Sequence, residues 1–404
     1  MQQFVETTKI AHIRPHHLLL GTVSLAIFSW LLISCYLDSA SHCQGLIYQD
    51  FICDQYQKMT VGGELCKDLC EDGKLKMGTC QLNSKHGASV EFKVDKKVIK
   101  VKRDTFLSIV GGVRDGDTFN MPTKGTSMES FRLMVSSLVV SRLGGDDHLE
   151  LVTRILDRAD VNMDGKVSLA EAKSIWSLLQ NSDFFISFIF QNTEFVPKIQ
   201  KFCGNIFAVE EVPHTYLYDK DNPSYLRWIF ANSYQWLQPS WHHRAKIVVG
   251  LLEFIMAVYQ YRNAGEFYIC HLDESVVGYT RRYDMRFLGV SQLLPKQTFM
   301  KVMQLRQCFS DEDCFYSKTC SSKCDISQHT CSGSLIKPNL FHACQLLREY
   351  LLYDLVGGER VELSGMLRTC RALDNNKTSA DLDHAVVLNN MKTWLWNKIQ
   401  NKVS

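Results

Sequence analysis

Asp160-Val161-Asn162-Met163-Asp164-Gly165-Lys166-Val167-Ser168-Leu169-Ala170-Glu171 fills every position of an EF-hand calcium loop. Calcium is a hard cation that takes roughly six to eight oxygens, and a loop of this spacing presents them from one turn. Asp160, Asn162 and Asp164 offer side-chain oxygens and Lys166 its backbone carbonyl. Ser168 coordinates directly or through water, and Glu171 closes the cage with a bidentate carboxylate. Gly165 permits the sharp bend, and Val167 is the apolar residue that pairs such a loop with a neighbour. An acidic turn without metal is the competing reading, and it leaves the filled ligand positions unexplained. Leu149, Val152, Ile155 and Leu156 before the loop, with Leu169, Ile175, Trp176, Leu178 and Leu179 after it, predict a helix–loop–helix over 149–180. The sequence holds no second loop of this kind. A lone one points to a site inserted in something larger.

That larger context is a chain of 404 residues, enough for two lobes and a membrane anchor. Its 45 basic and 43 acidic residues are well mixed, so no basic stripe marks nucleic acid as a partner. Leu18 to Leu37 runs twenty residues without a charge, the length of one membrane-spanning helix. A cleaved signal peptide has a shorter apolar run, of roughly 7–15 residues, and a small residue where Asp38 stands here. Lys9 and Arg14 precede the run, which predicts a cytoplasmic tail over 1–17, a signal anchor over 18–37 and a luminal remainder.

Of fifteen cysteines, fourteen lie beyond that run, and none forms a C-x-x-C pair. Zinc is therefore a poor reading, and disulfides in an oxidising lumen are the expected state. Asn376-Lys377-Thr378 is a glycosylation sequon that such a topology exposes to the lumen.

Residues 38–84 are cysteine-dense and too few to build a core unaided. The alternation from Ser89 to Lys102 predicts two strands around Asp95-Lys96, and a helix follows from Ser127 with Met128, Phe131, Met134, Val135 and Leu138 on one face. The run Phe184–Phe190 is a buried strand or helix, and 203–210 a strand. Further helices are predicted over 244–261, 340–352 and 384–399, with a loop-rich cysteine cluster at 308–331. Strands early and helices late describe a two-lobed α+β protein. His242-His243 is a surface cap, because adjacent helical residues point apart.

Several motifs together resemble the divergent protein kinase domain 1 family. They include Cys53-Asp54-Gln55-Tyr56, Leu65-Cys66-x-Asp68-Leu69-Cys70 and Pro122-Thr123-x-Gly125-Thr126. Gly250-Leu251-Leu252-Glu253-Phe254 and Lys392-Thr393-x-Leu395-Trp396 belong to the same set. The resemblance covers essentially the whole chain. It implies a cysteine-rich, single-span protein of the endoplasmic reticulum whose luminal part is protein-kinase-like. The N-lobe spans 85–210 with the EF-hand inserted, and the C-lobe spans 211–404 with the cysteine-rich insert.

Phosphoryl transfer needs a phosphate-binding lysine, a partner glutamate, a catalytic base and metal-binding Asn and Asp residues. The resemblance makes Lys100 the lysine, with a surface strand lysine as its alternative. Leu133 stands where relatives carry the glutamate, and Glu129 lies one turn earlier. The resemblance also places His271, Val276 and Gly289 at the base and metal positions, where imidazole, isopropyl and hydrogen replace the expected oxygens. A shifted register takes His271-Leu272-Asp273 as the catalytic motif, with Asp273 as base, Gly278 at the asparagine position and Asp284 as metal ligand. The expectation is a luminal pseudokinase, a single-pass type II protein of the endoplasmic reticulum membrane, that binds calcium and regulates or scaffolds secretory-pathway proteins. ATP with Mg2+ or Mn2+ belongs to the alternative, an active kinase using Asp273 and Asp284.

Overall fold

The structure, a computed structural model, describes residues 45–400 together with Ile27, Ser29 and Trp30. It leaves out 79, 82–88, 95, 111–117, 146–147, 213, 218–237, 260–264 and 376–378. The sequon at Asn376 therefore lies outside the described residues, as does most of 18–37.

From residue 45 onward the chain begins with helix α1 (Gly45–Gln57), and a short helical turn follows over Glu64–Glu71. Strands β1 (Cys80–Gln81), β2 (Ser89–Val94) and β3 (Lys97–Lys102) come next. Helices α2 (Arg103–Val110), α3 (Met128–Leu143), α4 (Leu149–Ala159), α5 (Leu169–Leu179) and α6 (Ser182–Phe190) lead into β4 (Ile199–Cys203) and β5 (Ile206–Glu210). The strands form one antiparallel sheet in the order β1-β2-β3-β5-β4, with Glu91 opposite Lys100 and Lys100 opposite Phe207.

Strand alternation gives this sheet two faces. Val90, Phe92, Ile99 and Val101 point to one side, where Tyr48 and Ile52 of α1, Val61, Leu65 and Met77 cover them. The cysteine-dense segment thus has no core of its own and shares the sheet's. Cys53–Cys70 braces it internally and Cys66–Cys203 bonds it to β4. On the other face Val98, Phe202 and Phe207 pack with α6, whose Phe184 ring meets that of Phe207 at 5.2 Å. The apolar run 184–190 resolves as helix, capped by the Asn181 side chain accepting from the Asp183 N–H. The 203–210 strand is cut by a turn at Gly204, whose φ of +58° suits glycine.

Two details of α3 differ from the periodicity. Ser127 caps it as expected, but the buried stripe is Phe131, Val135, Val139 and Leu143, and Met128 lies on the exposed side.

The C-terminal part follows with β6 (Thr215–Tyr216), the apolar helix α7 (Trp241–Tyr259), β7 (Phe267–Ile269), β8 (Val277–Tyr279), β9 (Met285–Phe287) and β10 (Leu293–Pro295). After α8 (Lys296–Gln304) comes a three-stranded sheet of β11 (Phe315–Ser317), β12 (Cys320–Asp325) and β13 (Thr330–Leu335). The cluster expected as loop is therefore a small β module, stapled by Cys308–Cys324 and Cys314–Cys331. Helices α9 (Asn339–Leu352), α10 (Gly357–Cys370) and α11 (Ala380–Gln400) close the chain, with Cys344–Cys370 joining α9 to α10.

The predicted membrane helix needs correction. Among the described residues no helix is long and apolar enough to cross a membrane. The two longest, α7 and α11, carry Arg244, Lys246 and Glu253, and Asp381, Asp383, Lys392 and Lys398 respectively, charges that a bilayer core does not accommodate cheaply. The mixed α/β fold stands; the transmembrane element of the expected fold does not.

Candidate functional site

Lys100 sits on the β3 face that meets α6 and is no surface lysine: its side chain is 15% exposed. Its Nζ lies 2.7 Å from Glu91 Oε1 on the neighbouring strand. Asp183, in the first turn of α6, is the second acid beside it, 4% exposed and with one carboxylate oxygen lacking any partner. Burial pulls the Lys100 ammonium toward deprotonation, but Glu91 and Asp183 outweigh it and hold the pKa above its usual value. Burial pushes the Asp183 carboxyl up, against the opposing pull of Lys100 and a hydrogen bond from Ser89. The lysine's charge is thus already matched within the protein. Helix α3 plays no part here, since Glu129 is exposed and Leu133 lies on the same solvent side.

The segment after β7 holds the next candidates. His271 Nε2 stands 2.9 Å from one oxygen of Asp273. The other oxygen accepts from both the N–H and the hydroxyl of Ser275. Burial raises the Asp273 pKa, yet these hydrogen bonds and His271 bring it below the usual carboxylate value. Such a carboxylate caps a turn and is a weak proton acceptor.

Val276 and Gly289 face each other at the open end of the β8–β9 hairpin, where the Leu288 N–H donates to the Val276 carbonyl at 2.8 Å. Val276 is buried, and a Cβ on Gly289 would lie 2.7 Å from its Cβ and Cγ1. Apolar contact fills the place where the resemblance led to an expectation of metal ligands. Asp284 closes the hairpin at its opposite end, bonded to Thr280 and ion-paired with Lys246 of α7 at 2.8 Å. The hairpin's length separates it from Gly289. Among the described residues, the one group of three close metal-ligating side chains is Cys308, Cys314 and Cys324, all locked in disulfides.

The loop between α4 and α5 has different chemistry. The two oxygens of Asp160 accept from the N–H groups of Asp164 and Gly165, at 3.1 and 2.8 Å. Asn162 also accepts from Asp164 N–H, and Asp164 accepts from Lys166 N–H. Gly165 takes a φ of +77° at the bend. Glu171, nearly buried, spans the loop by accepting from Val161 N–H at 3.0 Å and Ser168 N–H at 2.8 Å, and Ser168 returns the bond as helix cap. The all-oxygen donor set fits a hard cation. Among the described residues, Asp160, Asp164 and Glu171 do not form a group with one oxygen each within 4.8 Å of one another. Val167 packs on the main core in place of a second loop.

Glu91 and Asp183 escape sequence reasoning. Alternation places Glu91 on the Lys100 face, but the pairing needs the register. Asp183 is a single carboxylate heading an apolar run, a signal that only burial makes legible.

Comparison with protein families gives two matches. The model described as the N-terminal cysteine-rich ER region of FAM69 matches residues 8–157, and that of the protein-kinase domain of FAM69 matches 175–373. Between them lie residues 158–174, which hold the loop.

Proposed function

Because the chain belongs to the FAM69 family, with its cysteine-rich ER segment and kinase domain, we propose that it is a pseudokinase of the endoplasmic reticulum lumen that acts by binding other proteins. The contact between Val276 and Gly289 carries this reading. Phosphoryl transfer is stabilised by metal ions bridging the phosphates, and an isopropyl group against a glycine supplies no ligand to hold them. The buried Asp183 supports it further, since it adds a second negative charge beside Lys100 that a triphosphate would meet. The alternative based on Asp273 and Asp284 requires one to act as base while the other ligates metal. The bonds of Asp273 to Ser275 and of Asp284 to Lys246 oppose both roles.

The loop Asp160–Glu171 is read as an EF-hand that holds calcium through Asp160, Asn162, Asp164, the Lys166 carbonyl, Ser168 and Glu171. Calcium there would neutralise the carboxylates and tie α4 to α5, a structural role suited to a calcium-rich compartment. Partners are luminal or secretory-pathway proteins.

Calorimetry and turnover assays on the purified protein test the enzymatic side. No nucleotide binding or hydrolysis is expected with Mg2+ or Mn2+, and metal-dependent turnover lost on Lys100→Ala would overturn the pseudokinase reading.

A further inference from the structure

The lone helix–loop–helix is covered by a strip of the cysteine-dense segment. The Gly62 N–H donates to Ser174 Oγ on α5 at 2.9 Å. A Cβ on Gly62 would lie 3.5 Å from Glu171 Cγ and 3.6 Å from its backbone nitrogen, so the strip rests directly on the first turn of α5. On the incoming side, Arg158 of α4 pairs with Glu64 at 2.8 Å and donates to the Gln200 carbonyl of β4 at 2.8 Å. Its guanidinium also lies 5.4 Å above the Phe202 ring. The strip is fixed to β4 in turn: Gly204 N–H donates to the Gly62 carbonyl at 3.2 Å, and Cys66 is bonded to Cys203. At Gly63 any Cβ would fall 2.1 Å from the Phe202 carbonyl oxygen. One short strip therefore touches both helices of the loop and the edge of the sheet.

We infer that the strip 61–66 is the built-in partner of the loop, and that calcium entry tightens the hold of the cysteine-dense segment on the sheet. This rests on the calcium reading above. Glu171 is both the closing ligand and the side chain whose Cγ faces Gly62. An ion held by Glu171 together with Asp160 would tie the first turn of α5 to the end of α4, and the strip is anchored to each: through Ser174 on α5 and through Arg158 on α4. Paired EF-hands couple loop to loop; here the second member is a glycine-rich strip secured by a disulfide.

Hydrogen exchange on the intact protein, with millimolar calcium or with chelator, tests this, while calorimetry measures calcium binding independently. Calcium should slow exchange in 58–66 by roughly five- to tenfold more than in α9, which reports global stability. Glu171→Gln should abolish both binding and protection. Arg158→Gln, with Glu64→Gln as the milder second variant, should keep calcium binding but lose most of the protection. Calcium binding without extra protection of 58–66, or full protection in both Arg158→Gln and Glu64→Gln, overturns the inference and leaves the calcium reading intact. Absence of calcium binding by calorimetry removes both.

Discussion

Val276 stands where a side chain on Gly289 would have to go: a Cβ added to Gly289 would fall 2.7 Å from the Val276 Cβ and Cγ1. The two positions are complementary in volume. Because the clash reaches the Val276 Cβ itself, any residue larger than glycine on both sides forces the backbone apart. Gly289→Asp should cost roughly 1–3 kcal/mol in urea unfolding, the range for overpacking a buried site. Adding Val276→Gly should recover part of that cost, so the two changes couple. Val276→Asn with Gly289→Asp should remain without magnesium-dependent ATP turnover.

The Lys100 cluster gives a second expectation. Removing the ammonium in Lys100→Met leaves Glu91 and the buried Asp183 uncompensated, which should cost about 2–4 kcal/mol. Adding Asp183→Asn should restore at least half of it. Chemical denaturation of the three proteins measures both effects, and equal stability of Lys100→Met and the native protein would refute the cluster's electrostatic role.

His342 supplies a pH dependence. Burial and the neighbouring Lys337 lower its pKa from 6.5 to about 4, despite a hydrogen bond to the Thr319 backbone. The folded state thus resists a proton that the unfolded chain accepts. The associated stability is intact above the unfolded value and is lost as pH falls from about 6.5 toward 4, on the order of 2 kcal/mol by pH 4.5. Urea midpoints for the native protein and His342→Gln should converge as the pH falls through this window.

Calcium at the Asp160–Glu171 loop should raise thermal stability. For a dissociation constant of roughly 10⁻⁴–10⁻³ M, about 10 mM calcium contributes ~1.4–2.7 kcal/mol. Glu171→Gln should remove that gain and also lower calcium-free stability by about 1 kcal/mol, because the amide keeps one oxygen for the Ser168 N–H but sets an NH2 group against the Val161 N–H. A calcium-dependent melting shift of native size in Glu171→Gln would exclude the loop as the site.

Local pattern made much of the fold legible. The alternation of Ser89–Lys102 located both strands of a hairpin and set Lys100 opposite to Ile99 and Val101. Ser127 marked a helix start, and the apolar stripes of α7 and α9 marked two more helices. Long-range pairing was not legible. Nothing local distinguishes Cys66 bonded to Cys203 from Cys66 bonded to Cys70, and only the sheet decides between them. Helix α10 escaped because just Leu363, Leu367 and Cys370 are buried along it, too sparse a stripe to stand out. The family's glutamate position pointed to α3, whereas the acids beside Lys100 come from β2 and α6. The charged residues of a cleft are assembled from distant segments, so their partners follow from topology.

The disulfide Cys270–Cys320 adjoins His271 on one side and opens β12 of the cysteine module on the other. It closes a loop of 50 residues, which the chain-entropy model values at about 4 kcal/mol. The module also hydrogen-bonds the same stretch through Ser317 to the Cys270 carbonyl and Thr319 to that of Ile269. The stretch that carries His271 and Asp273 is thereby held to the cysteine module by one covalent bond and two hydrogen bonds, so the module fixes where that stretch begins.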